Sequence, residues 1–265
     1  MVPGTDESSQ PAATPVAVPP DAVRVWRGYR GSVPPAQFFA DLGTIFIPVT
    51  VQMQRLFHLS AYLPAVLPAN KPDGMPDEIA LVFYRTQQAY QDASLCAGGR
   101  AYSLLHSTIF NLGKGGSLSG FPTKLQGNFV LDAPFHLLDD AVDWQGGFTQ
   151  LFVGSRRAAI DPALFAHQIA DFCAAQQANR PAGLDGAIVV AASGYLIYWE
   201  HWLTRAAAQS SGIGRLTDIA APELLAPYSE VAVPPGLDAV WPGLQVSGGE
   251  CFNTQFPRLP AATSP

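Results

Sequence analysis

Residues Gly194–Trp202 read GYLIYWEHW, and the way this stretch sits decides what the rest of the chain can build. Four aromatic side chains, one carboxyl and one imidazole are packed into it. Bulky and aromatic residues in a short run bounded by a Ser-Gly pair predict a strand, whose side chains alternate between two faces. Tyr198, Glu200 and Trp202 then share one face, and Tyr195, Ile197, Trp199 and His201 the other. The preceding run DGAIVVAA predicts a partner strand, joined through Ser193-Gly194 as a hairpin.

Working outward, IDPALFAHQIADFCAAQQANRP predicts the best helix in the chain. Asp161 is placed to cap it, Pro162 suits its first position, and Leu164, Phe165, Ile169, Phe172 and Cys173 fall on one face. FTQLFVGSRR before it predicts a strand, and WLTRAAAQSS after the hairpin predicts the start of another helix. The first half repeats this order. VRVWRGYRG predicts a strand, and AQFFADLGTIFIPVTVQMQRLF a helix kinked or split at Pro48. HLSAYLPAVLP and EIALVFYR predict strands, and TQQAYQDASLCAGGRAYSLLHSTIF a long helix weakened at Gly98-Gly99. Pro35, Phe38 and Arg30 match Pro162, Phe165 and Arg157 at one common offset. Tyr84 matches Tyr198 at a shorter one, the difference falling where the first half carries the extra loop PANKPDGMP.

A strand–helix–strand–strand–helix–strand unit, with a tyrosine ending its third strand, resembles the dimeric α+β barrel superfamily. The resemblance spans about residues 22 to 210 and is topological. It implies an α+β fold of two ferredoxin-like repeats, their antiparallel sheets facing each other as an intramolecular barrel around a small lumen. The expected organisation is a Pro/Ala-rich disordered tail at 1–21, repeats at 22–130 and 131–211, and a Pro/Gly-rich extension at 212–265. The superfamily includes cofactor-free monooxygenases, isomerases, dehydratases, cyclases and haem enzymes, so the fold sets no single reaction.

Bulk properties narrow the classes. The chain has 265 residues, 48% of them hydrophobic and only 14% charged, with a formal net charge of −6. That leaves no basic footprint for nucleic acid. Three well-separated cysteines, Cys96, Cys173 and Cys251, form neither a disulfide framework nor a zinc motif. The N-terminal stretch lacks the charged and apolar regions of a signal peptide, and no charge-free apolar run is long enough to cross a bilayer. A soluble cytoplasmic protein is expected, with a homodimer as its candidate assembly. The pattern GKGGS at 113–117 lacks P-loop spacing, and no dinucleotide fingerprint or nucleophile elbow is present.

The expected function is general acid–base chemistry on an apolar or aromatic small molecule: cyclisation, isomerisation, dehydration or cofactor-free oxygenation. Glu200 and His201 are the first candidates to move the proton. His106, four residues after Tyr102 on a helix, is the next. Tyr84, Tyr198 and Trp202 are expected to line the lumen, with Arg30 and Arg157 steadying negative charge. Each has a plainer use: Glu200 and His201 at a helix start, His106 as a core histidine, the arginines paired with Asp41 or Asp161. His136, Asp139 and Asp140 form a weak metal pattern that reads equally as a solvated acidic turn. No cofactor is expected. The alternatives are haem on the same fold, although CxxCH is absent and PAGLDGA departs from GxxDG, and a non-catalytic binding or scaffold protein.

Overall fold

The computed structural model describes residues 22–54, 59–113, 116–138, 142–144, 146–228 and 231. The expected tail, most of the C-terminal extension, Cys251, His58, Asp139, Asp140 and part of GKGGS lie outside these residues.

The fold is α+β, with two sheets. The first runs β1 (Ala22–Gly28), β2 (Leu59–Val66), β3 (Glu78–Tyr84) and β4 (Leu118–Gly120), in the spatial order β2-β3-β1-β4, all neighbours antiparallel. Pro64 is tolerated because β2 is an edge strand, where the missing N–H breaks no ladder. Between β1 and β2 the chain forms α1 (Pro35–Asp41), a π-helical turn (Leu42–Phe46) and α2 (Ile47–Gln54). The expected break at Pro48 is therefore a wide turn within a continuing helix, placed just before the residue that lacks a donor.

Between β3 and β4 lie α3 (Gln87–Leu95) and α4 (Ala97–Ile109). The break falls at Cys96, ahead of the expected Gly98-Gly99, and the Cys96 sulfur accepts from Gly99 N at 3.2 Å as an N-cap. A Cβ on Gly99 would stand 1.8 Å from the Ala93 carbonyl oxygen, so the junction can close only on a glycine.

The second sheet has β5 (Thr123–Lys124), β6 (Phe135–His136), β7 (Phe148–Arg156), β8 (Leu184–Ala192), β9 (Tyr195–Trp202) and β10 (Ala220–Pro227), in the order β10-β7-β9-β8-β6-β5. It is antiparallel apart from the β5–β6 pair. Helix α5 (Pro162–Ala178) joins β7 to β8 and is capped by Asp161, whose Oδ1 accepts from Ala163 N and Leu164 N at 2.9 and 3.0 Å. The helix expected from Trp202 shrinks to a 3₁₀ turn (Ala207–Ser210), another at Ile213–Arg215 and the short α6 (Leu216–Ile219). The second sheet takes strands from outside 131–211 at both ends. In chain order each four-strand unit is arranged fourth–first–third–second, so one topology occurs twice.

Alternation fixes which side chains meet. Val23, Val25, Leu81 and Phe83 of the first sheet share one buried cluster with Leu151, Val153, Ile188, Val190, Ile197 and Trp199 of the second. The opposite face of the second sheet, with Phe152, Val189, Leu196 and Tyr198, packs against Phe165, Ile169 and Phe172 of α5. Polar ties also link the halves: buried Arg27 on β1 donates to Tyr195 Oη on β9 at 3.1 Å and to the Asp132 carboxylate at 3.1 Å, Tyr29 Oη meets Tyr195 Oη at 2.8 Å, and Tyr228 donates to the Pro64 carbonyl.

Candidate functional site

A cavity of about 230 Å³ lies between the first sheet and its helices. Arg24 and Trp26 of β1, Tyr62 of β2, and Val82 and Tyr84 of β3 form its floor. Phe46, Thr50 and Gln54 come from the π turn and α2, Tyr90, Ala93 and Ser94 from α3, and Gly99, Tyr102, Ser103 and His106 from α4. The residues on the floor follow from the register: Arg24 pairs with Val82 and Tyr62 with Val82, which puts all three side chains on one face.

His106 stands at the centre of an aromatic box, with ring centroids 4.3 Å from Tyr102, 4.7 Å from Phe46 and 5.5 Å from Trp26. Its Nδ1 meets the Tyr102 carbonyl oxygen at 2.9 Å. A carbonyl only accepts, so Nδ1 carries the hydrogen and Nε2 keeps a lone pair. Burial lowers the ring's pKa to about 4, with the Tyr102 carbonyl opposing and the Arg24 charge adding to the fall. The imidazole is therefore neutral at physiological pH.

The tyrosine hydroxyls are ordered. Thr50 Oγ1 donates to the Phe46 carbonyl at 2.8 Å, so the Tyr102 hydroxyl 2.6 Å away is the donor to Thr50. Tyr62 donates to Glu78 Oε1, and Trp26 Nε1 donates to Glu78 Oε2 at 2.9 Å. Among the described residues the Tyr84 hydroxyl has one long bond, 3.3 Å to Gln54 Oε1. Burial raises all three tyrosines, which keeps them protonated as donors. Glu78 is fully buried behind Trp26 and Tyr62, and burial raises its pKa to about 7 against the two hydrogen bonds that favour its anion.

Of the residues expected from sequence, His106 and Tyr84 line this cavity, and the others do not. Tyr84 and Tyr198 are not brought into one chamber: each points from its sheet toward its own helices, Tyr198 against Phe172 at 5.3 Å. The space that both sheets contribute to is filled by aliphatic side chains and Phe83, Tyr195 and Trp199. Glu200 is fully buried on the helix face of β9, accepting from Ser211 Oγ at 2.5 Å, and burial raises its pKa to about 7. His201 has both nitrogens occupied by protein oxygens, Asp185 Oδ1 at 2.6 Å and the Gly146 carbonyl at 2.7 Å, so neither is open to a substrate. Trp202 is buried with Phe148, Leu184 and Ala208. Arg157 is bound to the Thr217 carbonyl instead of Asp161, and Arg30 to Asp77 and the Val33 carbonyl instead of Asp41. Arg30 lines a separate polar cleft with Lys71 and Asp77. His136 lies in β6, its pKa lowered by burial, and among the described residues no three His, Cys, Asp or Glu side chains group as a metal site.

Arg24, Trp26, Tyr62 and Glu78 were not singled out from sequence. The alternation in VRVWRGYRG and EIALVFYR already put Arg24 with Trp26 on one face and Glu78 with Tyr84 on another. What sequence could not supply was which face the helices cover.

No protein-family model matches the chain, and no curated protein matches it. Solved structures similar to it include a presumed monooxygenase from Lactobacillus acidophilus NCFM, at 9% identity over 79% of this chain and 97% of the other, with a TM-score of 0.33. A second presumed monooxygenase, from Fusobacterium nucleatum subsp. nucleatum, matches at 9% identity over 80% and 94%, TM-score 0.37. An anthrone oxidase-like protein matches at 8% identity over 81% and 95%, TM-score 0.30. At these identities and scores none of them transfers a substrate or a residue role to this chain. No helix among the described residues is long and apolar enough to cross a membrane.

Proposed function

We propose that this chain is a small-molecule enzyme that removes a proton from an enolisable aromatic compound held in the cavity between the first sheet and its helices, without a cofactor. One observation carries the reading: a neutral imidazole with Nε2 unpartnered among the described residues, inside an aromatic cavity. An apolar cavity of about 150 Å³ admits benzene, so 230 Å³ is room for about two fused rings.

His106 Nε2 accepts the proton from an acidic carbon. Its low pKa makes His106 a weak base, so the carbon acid must be one whose anion is strongly delocalised, as over an aromatic ring. Charge then moves to the carbonyl oxygen. Tyr84 is the donor free to meet it, because its bond to Gln54 is the weakest in the cavity wall. The enolate is the step shared by isomerisation, cyclisation, dehydration and oxygenation by O₂. We read the two sheets as facing halves of an intramolecular α+β barrel, supported by the repeated strand order and the cluster drawn from both.

The test reads proton abstraction itself, whatever follows it. With 2-tetralone in D₂O, mass spectrometry should show deuterium entering the acidic methylene faster with protein than in buffer. His106→Gln should remove about a hundredfold or more, the lower end for general-base catalysis. Exchange no faster than in buffer, with tetralone shown to bind, overturns the proposal.

A further inference from the structure

Among the described residues, Arg24 is the only charged side chain in the lining of the cavity, since His106 is neutral and no Asp or Glu belongs to the lining. Its guanidinium lies over the Tyr90 ring, 4.0 Å from the centroid, and donates to the Ser119 hydroxyl from Nη2. A guanidinium carries five N–H donors. The Tyr90 side chain also hydrogen-bonds the group, and among the described residues no carboxylate pairs with it. This is unlike Arg27 and Arg30, each of which meets an aspartate. Half-buried cations normally carry a counter-ion, because leaving water costs charge far more than it costs a neutral group. Here the protein supplies the Tyr90 side chain and the Ser119 hydroxyl, both neutral, and the group lines the cavity.

We infer that the ligand brings the missing charge: the cavity takes an aromatic acid, its ring among Trp26, Phe46 and Tyr84 and its anionic oxygens on Arg24. Stacking on Tyr90 and the bond to Ser119 hold the guanidinium plane still, which favours two-pronged recognition of a carboxylate over a single contact. The inference rests on the cavity being the substrate site, as proposed above, and adds what the substrate carries. It also bears on the base. The Arg24 charge is felt at His106 and contributes to lowering its pKa, so an anion docked on Arg24 cancels part of that field and makes His106 a better proton acceptor when substrate is present.

The probes are 2-naphthoate and its neutral counterpart 2-naphthamide, titrated by calorimetry into the wild-type chain, Arg24→Gln and Arg24→Lys. Wild type should bind naphthoate at least tenfold more tightly than naphthamide. Arg24→Gln should bring the two to within about twofold by weakening naphthoate alone, and Arg24→Lys should fall between. Equal binding of both probes by the wild type overturns the inference and leaves the cavity reading standing. So does a naphthoate preference that survives in Arg24→Gln. Failure of both probes to bind, with 2-tetralone also silent, overturns the inference and the proposed function together. Should Arg24→Gln not fold, the wild-type ratio and its loss in high salt decide: a preference that added chloride does not weaken counts against Arg24.

Discussion

The Nδ1 atom of His106 lies 2.9 Å from the carbonyl oxygen of Tyr102, one helical turn earlier on α4. The bond fixes the tautomer and leaves Nε2 bare toward the cavity. Long-range ¹H–¹⁵N spectra should therefore show His106 neutral and protonated at Nδ1 from about pH 8 down to about pH 5. Its midpoint should lie near 4, since burial lowers it from the ordinary 6.5. A midpoint near 6.5, or a proton on Nε2, removes the buried base from the mechanism.

His201 gives the opposite expectation. Its two nitrogens are spent on Asp185 and the Gly146 carbonyl, and its ring packs 5.4 Å from Trp144. Replacing it leaves both acceptors unsatisfied, a loss of about 2–4 kcal/mol for a buried group of this kind. His201→Asn should lower the melting temperature yet leave the deuterium exchange of 2-tetralone within about twofold, because the ring does not line the cavity. Loss of exchange in a folded His201→Asn protein would move the chemistry to the second half.

Much of the fold was legible because it depends on local pattern. The alternation in GYLIYWEHW and EIALVFYR, the Asp161-Pro162 start of α5 and the order of elements all survive in the structure. What failed depends on which face meets which layer. Tyr198 and Glu200 do share a face, as expected, but that face turns to α5 and not to a chamber between sheets. Period-two alternation divides side chains into two sets and says nothing about which set is covered by helices. β10 was missed for a different reason: AAPELLAP holds two prolines and a glutamate, and reads as a loop until its edge position beside β7 makes the prolines harmless.

The junction of α3 and α4 positions the cavity wall on both sides of Cys96, and Gly99 is where it closes. A methyl group there would meet the Ala93 carbonyl oxygen at 1.8 Å and the Ser94 Cα at 3.1 Å, backbone atoms that cannot swing aside. Gly99→Ala should destabilise by about 3 kcal/mol or more, although alanine is the better helix former by about 1 kcal/mol. Gly98→Ala in the same turn should cost less than about 1 kcal/mol. Equal urea midpoints for the two variants would mean that the α3–α4 junction is looser than described.

Glu200 lets burial be read as a pH dependence. Burial raises its pKa from 4.5 to about 7, opposed by hydrogen bonds from Ser211 and Trp202. The folded state therefore prefers the protonated acid. That stability is fully present below about pH 4.5 and is lost as pH rises through about 7, since the folded protein must then ionise a buried carboxyl that ionises freely once unfolded. The shift corresponds to about 3 kcal/mol. Glu78 acts in the same direction, and His106 in the opposite one, its contribution being lost as pH falls through about 4. Glu200→Gln mimics the protonated acid, so it should match wild type in urea unfolding at about pH 5 and exceed it by up to about 3 kcal/mol at about pH 8.5. A variant less stable than wild type at the higher pH would show that Glu200 is held as an anion, by a partner the burial argument does not provide.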